Sequence, residues 1–189
     1  MTRHLAPLSV LIAASLALAG CSVTAPPTSE PSTAPVETGA APATGDTITG
    51  DGYSYNVPEG WGVPEQESAG TDTLAVDLDD TDGFSDNVNV ILSPAGAISS
   101  EQIEDAGVTE LENAGAEGVE ARPRIAIAGE ESAHLTALFS TDGVEYQIDQ
   151  YYPTHDGQTY IVTFSFSPDV PAADREDLAE SVLASWTWA

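Results

Sequence analysis

The segment Glu131–Ser167 constrains the fold more than any other, because it reads as three long alternating runs broken by two aspartate–glycine reversals. Asp142-Gly143 separates Ser132–Ser140 from Val144–Tyr152, and His155-Asp156-Gly157 separates the latter from Gln158–Ser167. Asx-Gly between alternating apolar runs marks hairpins, since the loop positions need a positive φ that glycine adopts without strain. Leu135, Ala137 and Phe139, then Tyr146 and Ile148, then Tyr160, Val162, Phe164 and Phe166 are expected to share the core face of an antiparallel sheet. A two-residue loop at Asp142-Gly143 pairs Thr141 with Val144, Phe139 with Tyr146 and Ala137 with Ile148. The same loop at Asp156-Gly157 would set Ile148 against Ser165 and turn one strand's apolar side chains away from that face. The expectation is therefore a three-residue second loop with a bulge, pairing Thr154 with Gln158 and Ile148 with Phe164.

Elsewhere the pattern is shorter. Thr47–Thr49 and Tyr53–Val57 flank Gly50-Asp51-Gly52 as a small hairpin, and Thr73–Leu78 and Asn87–Leu92 alternate like strands. Ser99 with Gln102 forms a capping box for a helix through about Asn113, with Ile103, Gly107 or Val108, and Leu111 as its apolar stripe. Gly107 weakens that helix or docks it closely. Ala121–Ala128 is a strand whose Pro123 suggests an edge or a strand start. Pro171 fits the first turn of a second helix capped by Asp169 or Val170. Leu178, Val182 and Trp186 form its stripe, expected to pack on the aromatic face of the sheet. Trp186 and Trp188 are expected to plug the core. The fold class is α+β, an antiparallel sheet sandwiched with two main helices.

The N-terminal part has a different character. Arg3 and His4, the apolar run Leu5–Leu18 and the small residues before Cys21 have the three parts of an export signal, with an apolar run too short for a stable transmembrane helix. Leu18-Ala19-Gly20-Cys21 resembles the bacterial lipobox, which implies a diacylglyceryl group on the chain's single cysteine. One acyl chain holds a protein only marginally and several hold it stably, so such an anchor would keep the mature chain at the outer face of the cell membrane. Ser22–Asp46, rich in proline, threonine and alanine, lacks hydrophobic periodicity and reads as a flexible tether. The expected organisation is a signal peptide at 1–20, the lipidated cysteine and linker at 21–46, and one folded domain at 47–189.

Charge narrows the partners. The 189 residues carry a formal net charge of −27 with no lysine. Such a surface repels nucleic acid and anionic head groups, so both are discounted as electrostatic partners.

The order of motifs in the folded part is also informative. Tyr53-Ser-Tyr-Asn-Val-Pro-Glu-Gly-Trp61 opens it, a helix starts at Ser99, a long meander follows, and Ser185-Trp-Thr-Trp-Ala189 ends it. Over Gly52–Ala189 this layout resembles the LpqN-like lipoproteins of actinobacteria, which belong with the PsbP-like α-β-α sandwich domains. The resemblance implies a binding or accessory role in the cell envelope. It carries over no catalytic residue.

A direct search for chemistry finds little. No Gly-x-Ser-x-Gly, Ser-x-x-Lys or phosphate-cradling loop with lysine occurs. His134 and His155 lack the spacing and thiol partners of a zinc site, and no cofactor is implied. Asp77, Asp79, Asp80, Asp82 and Asp86 offer hard oxygens, but their spacing misses the EF-hand pattern and a solvated acidic loop explains them. His134, opposite Tyr151 with Asp149 opposite Thr136, offers a general acid–base cluster or a hydrogen-bonded structural histidine. Arg122 and Arg124, flanking Pro123 and read as pointing the same way, offer an anion clamp or surface ion pairs. Tyr53, Tyr55 and Trp61 are the candidate lining of a groove for an apolar or glycan ligand, the alternative being that Trp61 plugs the sandwich. The leading expectation is a non-catalytic module that binds an envelope lipid, glycan or protein. The alternatives are a hydrolase using His134 with a nearby carboxylate, and a purely structural surface protein.

Overall fold

The computed structural model describes residues 35–65, 69–81, 83–141 and 143–189. The expected export signal, Cys21, the first part of the tether, Asp82 and Asp142 lie outside the described residues. In chain order the elements are β1 (Val36–Glu37), β2 (Thr47–Gly50), β3 (Tyr53–Asn56), β4 (Trp61–Gly62), β5 (Thr73–Asp77) and β6 (Asn87–Leu92). Then come α1 (Ser100–Asn113), β7 (Glu117–Ile127), β8 (Glu130–Thr141), β9 (Val144–His155), β10 (Gln158–Phe166), α2 (Ala172–Ala184) and β11 (Thr187–Trp188). The main sheet runs β1-β7-β8-β9-β10-β6-β5-β4, and β11-β3-β2 form a small second sheet. Among the described residues only the β1–β7 pairing is parallel. The expected α+β class, with an antiparallel sheet between two helices, is what this chain adopts.

The meander β7–β10 is its spine. The β8–β9 hairpin has the expected register, with Thr141 opposite Val144, Phe139 opposite Tyr146 and Ala137 opposite Ile148. The β9–β10 hairpin does not. Gln158 pairs with His155 and Ser165 with Ile148, across a two-residue loop. Asp156 at φ 47 and Gly157 at φ 83 supply the two positive dihedrals of a type I′ turn, so no bulge is needed.

That pairing turns Phe164 and Phe166 away from Leu135, Ala137 and Ile148, and the sheet tolerates it because both of its faces are covered. On one face Ile103 of α1 packs with Ala133, Leu135 and Tyr152, and Ala137 and Ile148 extend the layer. On the other, Tyr151, Val162, Phe164 and Phe166 join Ala179, Val182, Leu183 and Trp186, together with Ile48, Tyr53 and Tyr55 of the small sheet. Full burial of each such side chain contributes about 1.5–3 kcal/mol, which a strand apolar on both sides collects from two layers.

Both helices begin close to their expected positions. Ser99 accepts a hydrogen bond from Gln102 N at 3.3 Å and Gln102 Oε1 accepts one from Ser99 N at 3.2 Å, which completes the capping box of α1. Gly107 docks that helix closely, since a Cβ there would lie 2.9 Å from Leu135 Cδ1. Pro171 itself is the N-cap of α2, in place of Asp169 or Val170, and no side chain caps that end. The folded part also starts earlier than Thr47. Val36 pairs with Ile125, buried Ala43 donates its N–H to Ser181 O at 2.8 Å, and Gly45 donates to Val57 O at 2.8 Å. Backbone pairing, which leaves no trace in hydropathy, holds Val36, Ala43 and Gly45 in place.

Pro123 marks a bulge. The β7–β8 register shifts between Arg122, opposite His134, and Ile125, opposite Ser132. The extra residue sends Arg122 to the α2 face and Arg124 to the α1 face, where it meets Glu104. The two arginines do not point the same way, as alternation without a bulge had suggested.

Candidate functional site

The aromatic trio expected to line a groove is interior. Tyr53, Tyr55 and Trp61 are all buried. Tyr53 and Tyr55 stack on Trp186 with ring centroids at 4.5 and 5.3 Å. The Tyr53 hydroxyl bonds Asp72 Oδ2 and Thr73 Oγ1, both at 2.8 Å, and the Tyr55 hydroxyl lies 3.2 Å from Thr73 Oγ1. Burial pushes both phenols above their usual range, Tyr55 to about 12. They serve as core pillars because β3, paired between β2 and β11, turns both rings into the core with Trp186. Trp61 touches an open depression of about 340 Å³ beside Pro58 and Leu78, away from those tyrosines.

The acidic loop uses its carboxylates on backbone N–H groups, both its own and that of Ser167 after β10. Asp77 Oδ1 accepts from Asp79 N at 2.9 Å, and Asp86 Oδ1 accepts from Ser167 N at 2.7 Å. Among the described residues no three His, Cys, Asp or Glu side chains gather as a metal site. His155 holds Glu130 through Nδ1 at 2.9 Å and stacks on Trp188 at 4.6 Å, far from His134 in strand register.

The polar concavity lies elsewhere, on the α2 face. A cleft of about 310 Å³ runs between the β7–β9 strands and the first turn of α2. The bulge at Pro123 delivers Arg122 to it, strand alternation delivers His134, Thr136, Gln147 and Asp149, and α2 contributes Ala172, Arg175 and Glu176. His134 Nε2 lies 3.3 Å from Asp149 Oδ1, and its ring stacks on Tyr151 at 4.1 Å. The other oxygen of Asp149 faces Arg175 Nε at 3.7 Å. The predicted pairing of His134 with Tyr151 and Asp149 with Thr136 is present, and Arg175 joins them as a residue the sequence reading missed. A signal for it existed, since Arg175 lies three residues before Leu178 on the same stripe of α2, where an apolar residue is the norm.

The three arginines of the described domain differ in how well they are paired. Arg124 makes two bonds of 2.7 Å to Glu104 and one of 3.0 Å to Glu131. Arg122 comes only within 3.8 Å of Glu120, and Arg175 bonds Val170 O at 2.7 Å while its buried Nε has no hydrogen-bond partner among the described residues. Both lie beside the positive end of α2, which carries no side-chain cap. The carboxylates around them feel one another. Burial, with Glu176 and Asp177, raises the Glu180 carboxyl, and His134 opposes that. Burial raises Tyr151 well above its usual range, helped by Asp149, Glu180 and Glu176. Chemically the cleft is rich in hydrogen-bond donors and mixed in charge, and it lacks aromatic lining.

No family model and no curated protein matches this sequence. Solved structures do resemble the fold. The solution structure of cyanobacterial PsbP from Synechocystis aligns over 80% of this chain and 96% of its own, at 20% identity and a TM-score of 0.53. The crystal structure of LpqN, involved in cell envelope biogenesis of Mycobacterium tuberculosis, aligns over 82% and 88%, at 19% identity and a TM-score of 0.52. The Ran-binding protein Mog1p of Saccharomyces cerevisiae aligns over 77% and 96%, at 10% identity and a TM-score of 0.53. The chain also spans about half the length, 48%, of a Bacteroides thetaiotaomicron protein at 17% identity and a TM-score of 0.49. The two-helix arrangement around this meander is the PsbP-like sandwich fold.

Proposed function

We propose that this chain is an LpqN-like exported lipoprotein, anchored through lipid on Cys21 at the outer face of the cell membrane, whose domain is a non-catalytic binding or accessory module. The cleft beneath the start of α2 is its binding site. One observation carries the reading: Arg122 and Arg175 converge there with loose ion pairs, while Arg124 elsewhere makes three short hydrogen bonds to carboxylates. In so acidic a chain, guanidinium groups left short of acceptors are suited to an incoming ligand. Support for an envelope setting comes from the lipobox-like Leu18-Ala19-Gly20-Cys21 and from the fold shared with LpqN, a protein described as acting in cell envelope biogenesis. Among the described residues no helix is long and apolar enough to cross a membrane, so the anchor in this reading is the lipid.

The test has two parts. Native mass spectrometry of the full chain, extracted in detergent from its own envelope, should show a bound adduct that is lost in Arg122→Gln. Cys21→Ala should move the chain from the detergent phase to the aqueous phase. Bare protein in the first measurement would remove the binding reading.

The His134–Asp149 pair at 3.3 Å favours a second reading, hydrolysis by a histidine-activated water. The cleft lining holds no serine or cysteine nucleophile, and Asp149 is shared with Arg175. His134→Ala would abolish turnover under this reading and only alter affinity under the first.

A further inference from the structure

We propose that the cleft takes a small zwitterion that carries both a carboxylate and an ammonium group, with the size of an amino acid or a dipeptide. The inference rests on the binding reading above and names its ligand class.

Charge balance in the cleft makes the argument. A simple anion would be drawn to Arg122, Arg175 and the uncapped start of α2. It would also meet Glu120, Asp149 and Glu176 in a chain of net charge −27. A simple cation would suit those carboxylates and be repelled by two guanidinium groups. A ligand with separated opposite charges satisfies both sets, its carboxylate on the arginines and its ammonium on the carboxylates. The arginine contacts of 3.8 Å to Glu120 and 3.7 Å to Asp149 are too long for hydrogen bonds, so forming new ones requires no strong pair to break.

Size and lining narrow the class further. About 310 Å³ is at the small end of ligand sites. No Phe, Tyr or Trp is in the cleft lining, which leaves a sugar ring without a broad stacking platform and an acyl chain without an apolar wall. Thr136 and Gln147, whose side chains make no hydrogen bond among the described residues, can serve the amide group of a dipeptide.

Isothermal titration of the full chain in detergent tests this with three probes: L-alanyl-L-alanine, N-acetyl-L-alanine and L-alaninamide. The dipeptide is expected to bind one to one, with each single-charge probe at least about tenfold weaker. Arg122→Gln should weaken the dipeptide by about tenfold or more, and Arg124→Gln, outside the cleft, should leave it unchanged. N-acetyl-L-alanine binding as tightly as the dipeptide would make this a plain anion site and overturn the proposal. Failure of all three probes would also overturn it. If an Arg122-dependent adduct from the envelope nevertheless persists, the binding reading survives and only the ligand class falls; without that adduct, both fall.

Discussion

Tyr53 and Trp186 stack with their ring centroids 4.5 Å apart and their planes 5° from parallel, which joins the first hairpin of the domain to the end of its last helix. Both rings are buried, and Tyr55 and Tyr160 close around them. Trp186→Ala removes the central plate of this stack and leaves a cavity. It should cost about 3–5 kcal/mol in urea unfolding, with Trp186→Phe costing clearly less. A loss under about 1 kcal/mol would mean the stack is peripheral to stability.

The same stack sets an alkaline limit. Burial raises Tyr53 and Tyr55, and also Tyr151 and Tyr152, above the ordinary phenol range. A phenol whose folded pKa is raised keeps its full contribution below its unfolded pKa, near 10, and loses it as pH rises from there toward the folded value. Most of the phenolate absorbance should therefore be delayed above the ordinary phenol range. That delayed rise, from the buried tyrosines Tyr53, Tyr55, Tyr151, Tyr152 and Tyr160, should coincide with loss of the fold. A single smooth titration before unfolding would contradict the burial.

Arg124 bridges α1 to the sheet through Glu104, and its hydrogen bonds hold the Glu104 carboxyl below its usual range. The sign follows from that depression: the pair stabilises above the unfolded carboxylate pKa and fades as pH falls through the folded one. Arg124→Ala should cost about 1–2 kcal/mol at neutral pH, and the difference from the parent should shrink below about pH 4. Equal losses at both pH values would assign the effect to packing of the arginine stem.

Glu180 has the opposite sign. Burial and its acidic neighbours raise its pKa, so the folded state is penalised once the group ionises, and stability falls as pH rises through the unfolded value. Glu180→Gln should stabilise the fold by about 0.5–1 kcal/mol at neutral pH and by nothing measurable below the unfolded pKa. A lower melting temperature at pH 7 would refute this account of the helix face.

Gly157, at φ 83, carries the turn that decided the strand register. Gly157→Val forces a β-branched residue into the left-handed region and should cost about 1–2 kcal/mol or more. Asp156→Asn should be nearly neutral, because asparagine tolerates the same dihedral. Stability unchanged in Gly157→Val would argue for a loop of another kind.

Much of this architecture was legible in the chain. The Asx-Gly reversals located the meander, Ser99 and Gln102 located α1, and Leu178 and Val182 located α2 on the aromatic face, with Trp186 just past its C-cap Ser185. Local signals of this type depend on neighbours in sequence, where side-chain period and loop dihedrals act directly. The candidate site was legible only as scattered parts. His134 and Asp149 could be paired by counting register, but Arg122 needed the bulge at Pro123, and Arg175 needed α2 laid across the strands.

The sequence by itself determined where the two helices and the strands β8–β10 begin to within about two residues, the register of the β8–β9 hairpin, and the acidic character of the chain. Tertiary structure decided which way each face points. Ile148 sits opposite Ser165 because two helices cover two faces, so a one-residue slip that would expose a half-buried sheet instead feeds a second core. It also decided that Tyr53 and Tyr55 are pillars instead of a groove, and that the arginines part company. Those outcomes depend on contacts between residues far apart in the chain, and no window of sequence contains them.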